Sequence, residues 1–131
     1  MAFTKSLTVL TSTLILSACA LFPSKFDTNE QAKLTDIILL SQDDSVCVQP
    51  SINVVVNDID KTAQWLKIYS EHLPNNEKLT DMTKNLSDIT KDFRASYLKD
   101  KPPSHFYCRS KMKIINEASK KMLDVSGRRP R

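Results

Sequence analysis

Hydrophobic residues recur at spacings of three and four along four successive stretches of the chain, and prolines at 50, 74, 102, 103 and 130 separate or follow them. That period predicts helices with one apolar face each, since proline is tolerated at a helix's first turn or beyond its end but not inside it. The first stretch opens at Asp27 or Thr28, which have capping-box spacing to Glu30 and Gln31, and carries Ala32, Leu34, Ile37, Ile38 and Leu40 to an end near Asp43. The second follows Pro50 with Ile52, Val55, Val56, Ile59, Ala63 and Leu66, a stripe that Trp65, Ile68 and Tyr69 widen. Val54, Val55 and Val56 would favour a strand on their own, but the helical spacing of the whole segment outweighs three β-branched residues. The third starts at Asn75 or Asn76 and has the spacing of a bundle seam in Leu79, Met82, Leu86, Ile89, Phe93 and Tyr97. The fourth is capped by Ser104 and runs through Cys108, Met112, Ile115, Ala118 or Ser119, and Met122 to a stop at Gly127. Short connections favour antiparallel neighbours, so the predicted fold class is all-α, an antiparallel four-helix bundle.

Composition agrees and narrows the function. A single glycine in 131 residues leaves no material for phosphate-binding loops or dinucleotide fingerprints. Hydrophobic residues at 40% and charged residues at 26% suit one folded domain. There is no internal repeat and no low-complexity segment.

The amino-terminal region follows a different pattern. Lys5 precedes an apolar run, Leu7 to Leu16, that is too short for a permanent membrane span and has the character of a signal-peptide core. Leu16-Ser17-Ala18-Cys19 follows, and this segment resembles the lipobox of bacterial lipoproteins. The resemblance implies cleavage before Cys19 and acylation of Cys19 on its sulfur and its new amine. Several acyl chains anchor far more firmly than one, at about 0.8 kcal/mol per buried methylene. Ala20 stands where an Asp would imply retention at the inner membrane, so the implied destination is the outer membrane, facing the periplasm. The organisation expected is a signal peptide over 1–18, a lipidated tether over 19–26, a helical bundle domain over 27–126 and a basic tail over 127–131.

This reading bears on the other two cysteines. An up-down-up-down bundle puts Cys47, before the second helix, and Cys108, in the first turn of the fourth, at the same end. An exported protein lies in an oxidising compartment, where such a pair is expected to bridge; free thiols or an intermolecular link are the alternatives.

Candidate chemistry is sparse. His72 and His105 fall at opposite ends of the bundle and cannot share a metal, and no HExxH or CxxC spacing appears. The pairs Asp43-Asp44 and Asp58-Asp60 read as solvated helix ends rather than an acid/base couple. The aromatics Phe93, Tyr97, Phe106 and Tyr107 gather at the cysteine end, as a packed bundle end or a binding surface. No cofactor, metal or catalytic residue is expected, and the chain is read as a non-enzyme.

Charge is the more informative feature. From Ala20 to Asp60 seven acids face two bases, a net of −5, whereas from Lys101 onward nine bases face two acids, a net of +7. Lys111, Lys113, Lys120 and Lys121 should lie off the apolar stripe of the fourth helix, and Arg128, Arg129 and Arg131 should form a flexible basic end. Together these seven residues are the candidate basic binding surface, with an acidic protein or anionic envelope material such as lipid headgroups or cell-wall polymer as partner, and with solvent and the acidic first helix of the same chain as the bland alternative. An exported location disfavours nucleic acid.

The function expected is that of a membrane-anchored envelope lipoprotein displaying a non-catalytic helical interaction module. In architecture it is similar to immunity proteins and inhibitors that neutralise periplasmic toxins or cell-wall hydrolases. Lys25-Phe26-Asp27-Thr28-Asn29-Glu30 also resembles the region after the anchor in small phage-associated lipoproteins, which implies a phage-encoded envelope or lysis accessory as an alternative.

Overall fold

A computed structural model describes residues 25–131; the signal-peptide and lipobox readings, Cys19 among them, lie outside the described residues. Four helices follow one another: α1 (Thr28–Ser41), α2 (Ile52–Glu71), α3 (Glu77–Ser96) and α4 (His105–Gly127), with a short 3-10 turn (Asp44–Val48) between α1 and α2. Each helix packs on its neighbours in sequence, and α1 packs on α4, which closes the ring of an antiparallel four-helix bundle. No strand occurs among the described residues, so Val54–Val56 are helical.

Local chemistry sets the boundaries. Asp27 caps α1, its Oδ1 accepting from the Glu30 amide at 2.8 Å, and the Ser104 hydroxyl accepts from the Tyr107 amide at 3.1 Å at the start of α4. α1 stops at Ser41, short of Asp43, because Asp43 caps the 3-10 turn instead, accepting from the Ser45 amide at 3.0 Å. The turn between α2 and α3 is made by Asn75, at φ 54°, a left-handed conformation that Asn tolerates better than most residues. Gly127 does not play that part. It is the last residue of α4 with ordinary backbone, and a Cβ there would stand 3.4 Å from the Gln31 side chain of α1.

The core follows the seam positions. Leu34 and Ile37 of α1, Val56, Ile59, Ala63 and Leu66 of α2, Leu79, Leu86 and Phe93 of α3, and Met112, Ile115 and Met122 of α4 are all buried. Each large one among them contributes about 1.5–3 kcal/mol of burial free energy. Trp65 and Ile68 do not widen this core: Trp65 is 38% exposed and stacks on Tyr69 at 4.5 Å, and Ile68 faces solvent.

Polar bonds fix the helices' registers. Ser70 and Thr83 share a hydrogen bond of 2.7 Å between α2 and α3. Asn116 of α4 donates to the Ile38 carbonyl at 3.0 Å and the Ser41 hydroxyl at 3.2 Å of α1. Asp60, expected at a solvated end, is buried instead. It accepts from Thr90 at 3.0 Å and Gln64 at 3.2 Å and pairs with Arg94 at 3.3 Å, because its position on α2 faces α3 rather than water.

Candidate interaction surfaces

The bundle has two unlike ends, and candidate functional residues sort between them. At one end Cys47 and Cys108 form a disulfide, with Cα atoms 5.8 Å apart, joining the 3-10 turn to the first turn of α4. Beside it the buried Phe93 ring lies 5.6 Å from Tyr97 and 6.2 Å from Tyr107, so these aromatics are a packed layer. Burial, with Tyr107 alongside, pushes the Tyr97 hydroxyl up from its ordinary range. Phe106 is the exception: it stands outside the layer, 78% exposed.

The other end joins the two termini of the described chain. The Phe26 amide donates to the Pro130 carbonyl at 2.9 Å. The fully buried Glu30 carboxylate faces the Arg129 guanidinium at 3.4 Å, and Arg129 also donates to the Asn76 side chain from the α2–α3 turn. Burial pushes the Glu30 carboxyl up from its usual range, opposed by Arg129 and reinforced by nearby Asp27. Tyr69 donates its hydroxyl to Asp27 at 3.0 Å, and the Arg131 guanidinium sits 5.3 Å above the Phe26 ring. Asn76 also donates to the Ser70 carbonyl at 3.1 Å, so this one side chain ties both the turn and the carboxy-terminal residues to α2.

These contacts redistribute the predicted basic surface. Lys113, Lys120 and Lys121 are exposed on the outer face of α4, as expected, and Arg109 joins them. Lys113 reaches Glu117 only at 4.0 Å, while Lys120 and Lys121 have no ion pair among the described residues. Lys111 turns inward, its ammonium 5.5 Å from the Tyr107 ring. The flexible tail is corrected: Arg128 pairs with Asp124 at 2.7 Å, Arg131 covers Phe26, and Arg129, 7% exposed, serves the buried carboxylate. The cause is Glu30, an acid at a helix start that burial leaves in need of a cation. The acidic first helix is one destination the sequence offers for this charge, but the particular roles of Glu30, Asn76 and Tyr69 are not visible there because their partners lie in distant segments.

His72 closes α2, with its Nδ1 donating to the Ile68 carbonyl at 2.7 Å, and His105 opens α4 at the opposite end. No cluster of three metal-ligating side chains occurs among the described residues, and no described helix is long and apolar enough to cross a membrane. Surface depressions among the described residues include one of 270 Å³ between Asn75–Leu79, Val125 and Arg128–Pro130, and one of 360 Å³ between Ser96, Lys99, Lys101, Pro103, Ser104 and Tyr107. No protein-family model, curated protein or solved structure matches this chain.

Proposed function

We propose that the chain is a membrane-anchored envelope lipoprotein, in which lipid on Cys19 holds a non-catalytic helical binding module at the outer membrane, facing the periplasm. What supports this reading is the resemblance of Leu16-Ser17-Ala18-Cys19 to a lipobox, followed after a few residues by a bundle whose described termini meet at one end. On this reading the tether enters at the Glu30–Arg129 end. The disulfide end then lies a helix length away from the anchored end, about 30 Å for twenty residues. The partner is a protein or an anionic envelope polymer, met in part by Arg109, Lys113, Lys120 and Lys121 on the outer face of α4.

Palmitate labelling of the full chain and of Cys19→Ser tests the anchor: the wild type should take up label and fractionate with membranes, and the variant should do neither. An unlabelled wild type recovered in the soluble fraction would overturn it. Deleting residues 126–131 would not probe the basic surface, because it removes Arg129 from Glu30. A triple change of Lys113, Lys120 and Lys121 to Glu is the better comparison in a pulldown of the anchored protein. Loss of a recovered partner supports the surface, and a tight stoichiometric complex with a toxin or cell-wall hydrolase would favour the immunity or inhibitor reading.

A further inference from the structure

Among the described residues, five of the six most exposed large hydrophobics lie at the disulfide end: Leu39 in the last turn of α1, Val48 in the 3-10 turn, Val54 at the start of α2, Leu98 before α4, and Phe106 in its first turn. The two most exposed are Leu98, at 77%, and Phe106, at 78%. Single exposed apolar residues need no explanation, but five gathered at one end of a small bundle do. The charges there are divided. The α1–α2 connection carries Asp43 and Asp44, exposed and with no base between Ser41 and Val54. The α3–α4 side carries exposed Lys99, Lys101 and Arg109 against Asp100 alone. The Cys47–Cys108 bond holds the two sides together, giving one end with a −2 half and a +2 half.

A uniformly anionic surface, whether bilayer or polymer, would be attracted by one half and repelled by the other. A second copy of the chain can supply the reverse arrangement, because a two-fold axis running along the boundary between the halves sets the acidic half of each copy against the basic half of its mate, whereas the perpendicular axis would set like charges together. We propose that the disulfide end is a self-association surface, on which two copies pair end to end with Phe106 and Leu98 covered and Asp43-Asp44 of each facing Lys99 and Lys101 of the other. The 360 Å³ depression between Lys99, Lys101 and Tyr107 gives room for an apolar side chain of the second copy. With helix axes about 10 Å apart the end of a four-helix bundle measures about 20 Å on a side, a footprint of about 400 Å². That is well under the roughly 800 Å² per partner of a stable interface, so the pair is weak and reversible. The inference concerns the disulfide end alone; where Cys19 anchors both copies in one membrane, the pair forms with the two bundles lying along the surface so that their disulfide ends face each other.

The test is photo-crosslinking of the full chain in intact cells, with a photoreactive residue placed in turn at Leu98, Phe106 and, as the opposite-end control, Ile68. Adducts of twice the chain's mass are expected from positions 98 and 106 but not from 68. A variant with Asp43→Lys and Asp44→Lys, and another with Lys99→Glu and Lys101→Glu, should each cut the yield by about tenfold through like-charge contact. Producing the two variants together should restore it, because each then meets its complement. A mobility shift on reduction verifies that every variant has formed its disulfide. Absence of a doubled band, adducts only with another protein, or yields unchanged by charge reversal would each overturn the proposal.

Discussion

The two ends of the bundle solve the same closure problem with different chemistry. At the disulfide end a covalent bond ties α4 to the α1–α2 connection, and neighbouring apolar side chains remain exposed. At the opposite end no covalent bond is made, and closure comes from Glu30 with Arg129 and Asn76, Phe26 with Pro130, and Tyr69 with Asp27. A covalent closure needs few side chains and leaves the rest of its surface free for a partner. A polar closure consumes its charged groups, and it does so here with residues that a count along the sequence assigns to the surface.

The largest test of this contrast is removal of the covalent closure. Cys47 and Cys108 are 61 residues apart, and by the chain-entropy estimate a loop of that size stabilises the fold by about 4 kcal/mol. A Cys47→Ala, Cys108→Ala variant should lose that amount in denaturant unfolding, and wild type with reductant should match it. Equal stability with and without reductant would show that the aromatic layer alone holds this end.

The polar end should respond less strongly and in a pH-dependent way. Arg129→Ala strands a buried carboxylate and should cost about 2 kcal/mol. Adding Glu30→Met should recover much of the loss, because the polar pair can be exchanged for apolar volume, unlike the disulfide. Glu30 also gives the sign of the pH effect. Its carboxyl is pushed up chiefly by burial, so the folded chain holds that proton more tightly than the unfolded chain. Its stabilising contribution is complete below the ordinary value of 4.5 and is lost as pH rises through the raised folded value. Melting temperatures of wild type relative to Glu30→Gln should therefore fall across that window and level off above it. In Arg129→Ala the opposing pull is gone, and the window should extend upward.

The two ends also differ in how far the sequence reveals them. Helix spacing and proline placement were enough for four helices and their order, and that order brought Cys47 and Cys108 together. Each of those features is local or follows from topology. The polar end was not legible, because Glu30, Asn76 and Arg129 meet only when three distant segments close, and no periodicity marks a residue whose partner is a hundred positions away. Asp60 was misread for the same reason. Its neighbour Asp58 is exposed, and only the rotation of α2 against α3 separates them. Of the basic surface, Lys113, Lys120 and Lys121 were readable from α4's own helical phase, whereas Arg128, Arg129 and Arg131 lie past its last turn, where phase gives no direction.

The smallest expected effect is the most discriminating for the disulfide end. If Leu98 and Phe106 are exposed because they serve a second surface, removing them should leave the fold alone. Leu98→Ser with Phe106→Ser should change stability by no more than about 0.5 kcal/mol in dilute solution, the usual range for exposed positions. The same pair should abolish the doubled crosslink when the photoreactive residue is moved to Val48. A loss above about 1 kcal/mol would mean that both side chains pack within a single copy, and the freedom attributed to the covalent end would be gone. Near-zero cost to folding together with loss of pairing is the combination that separates a surface kept for association from one that is merely unfinished core.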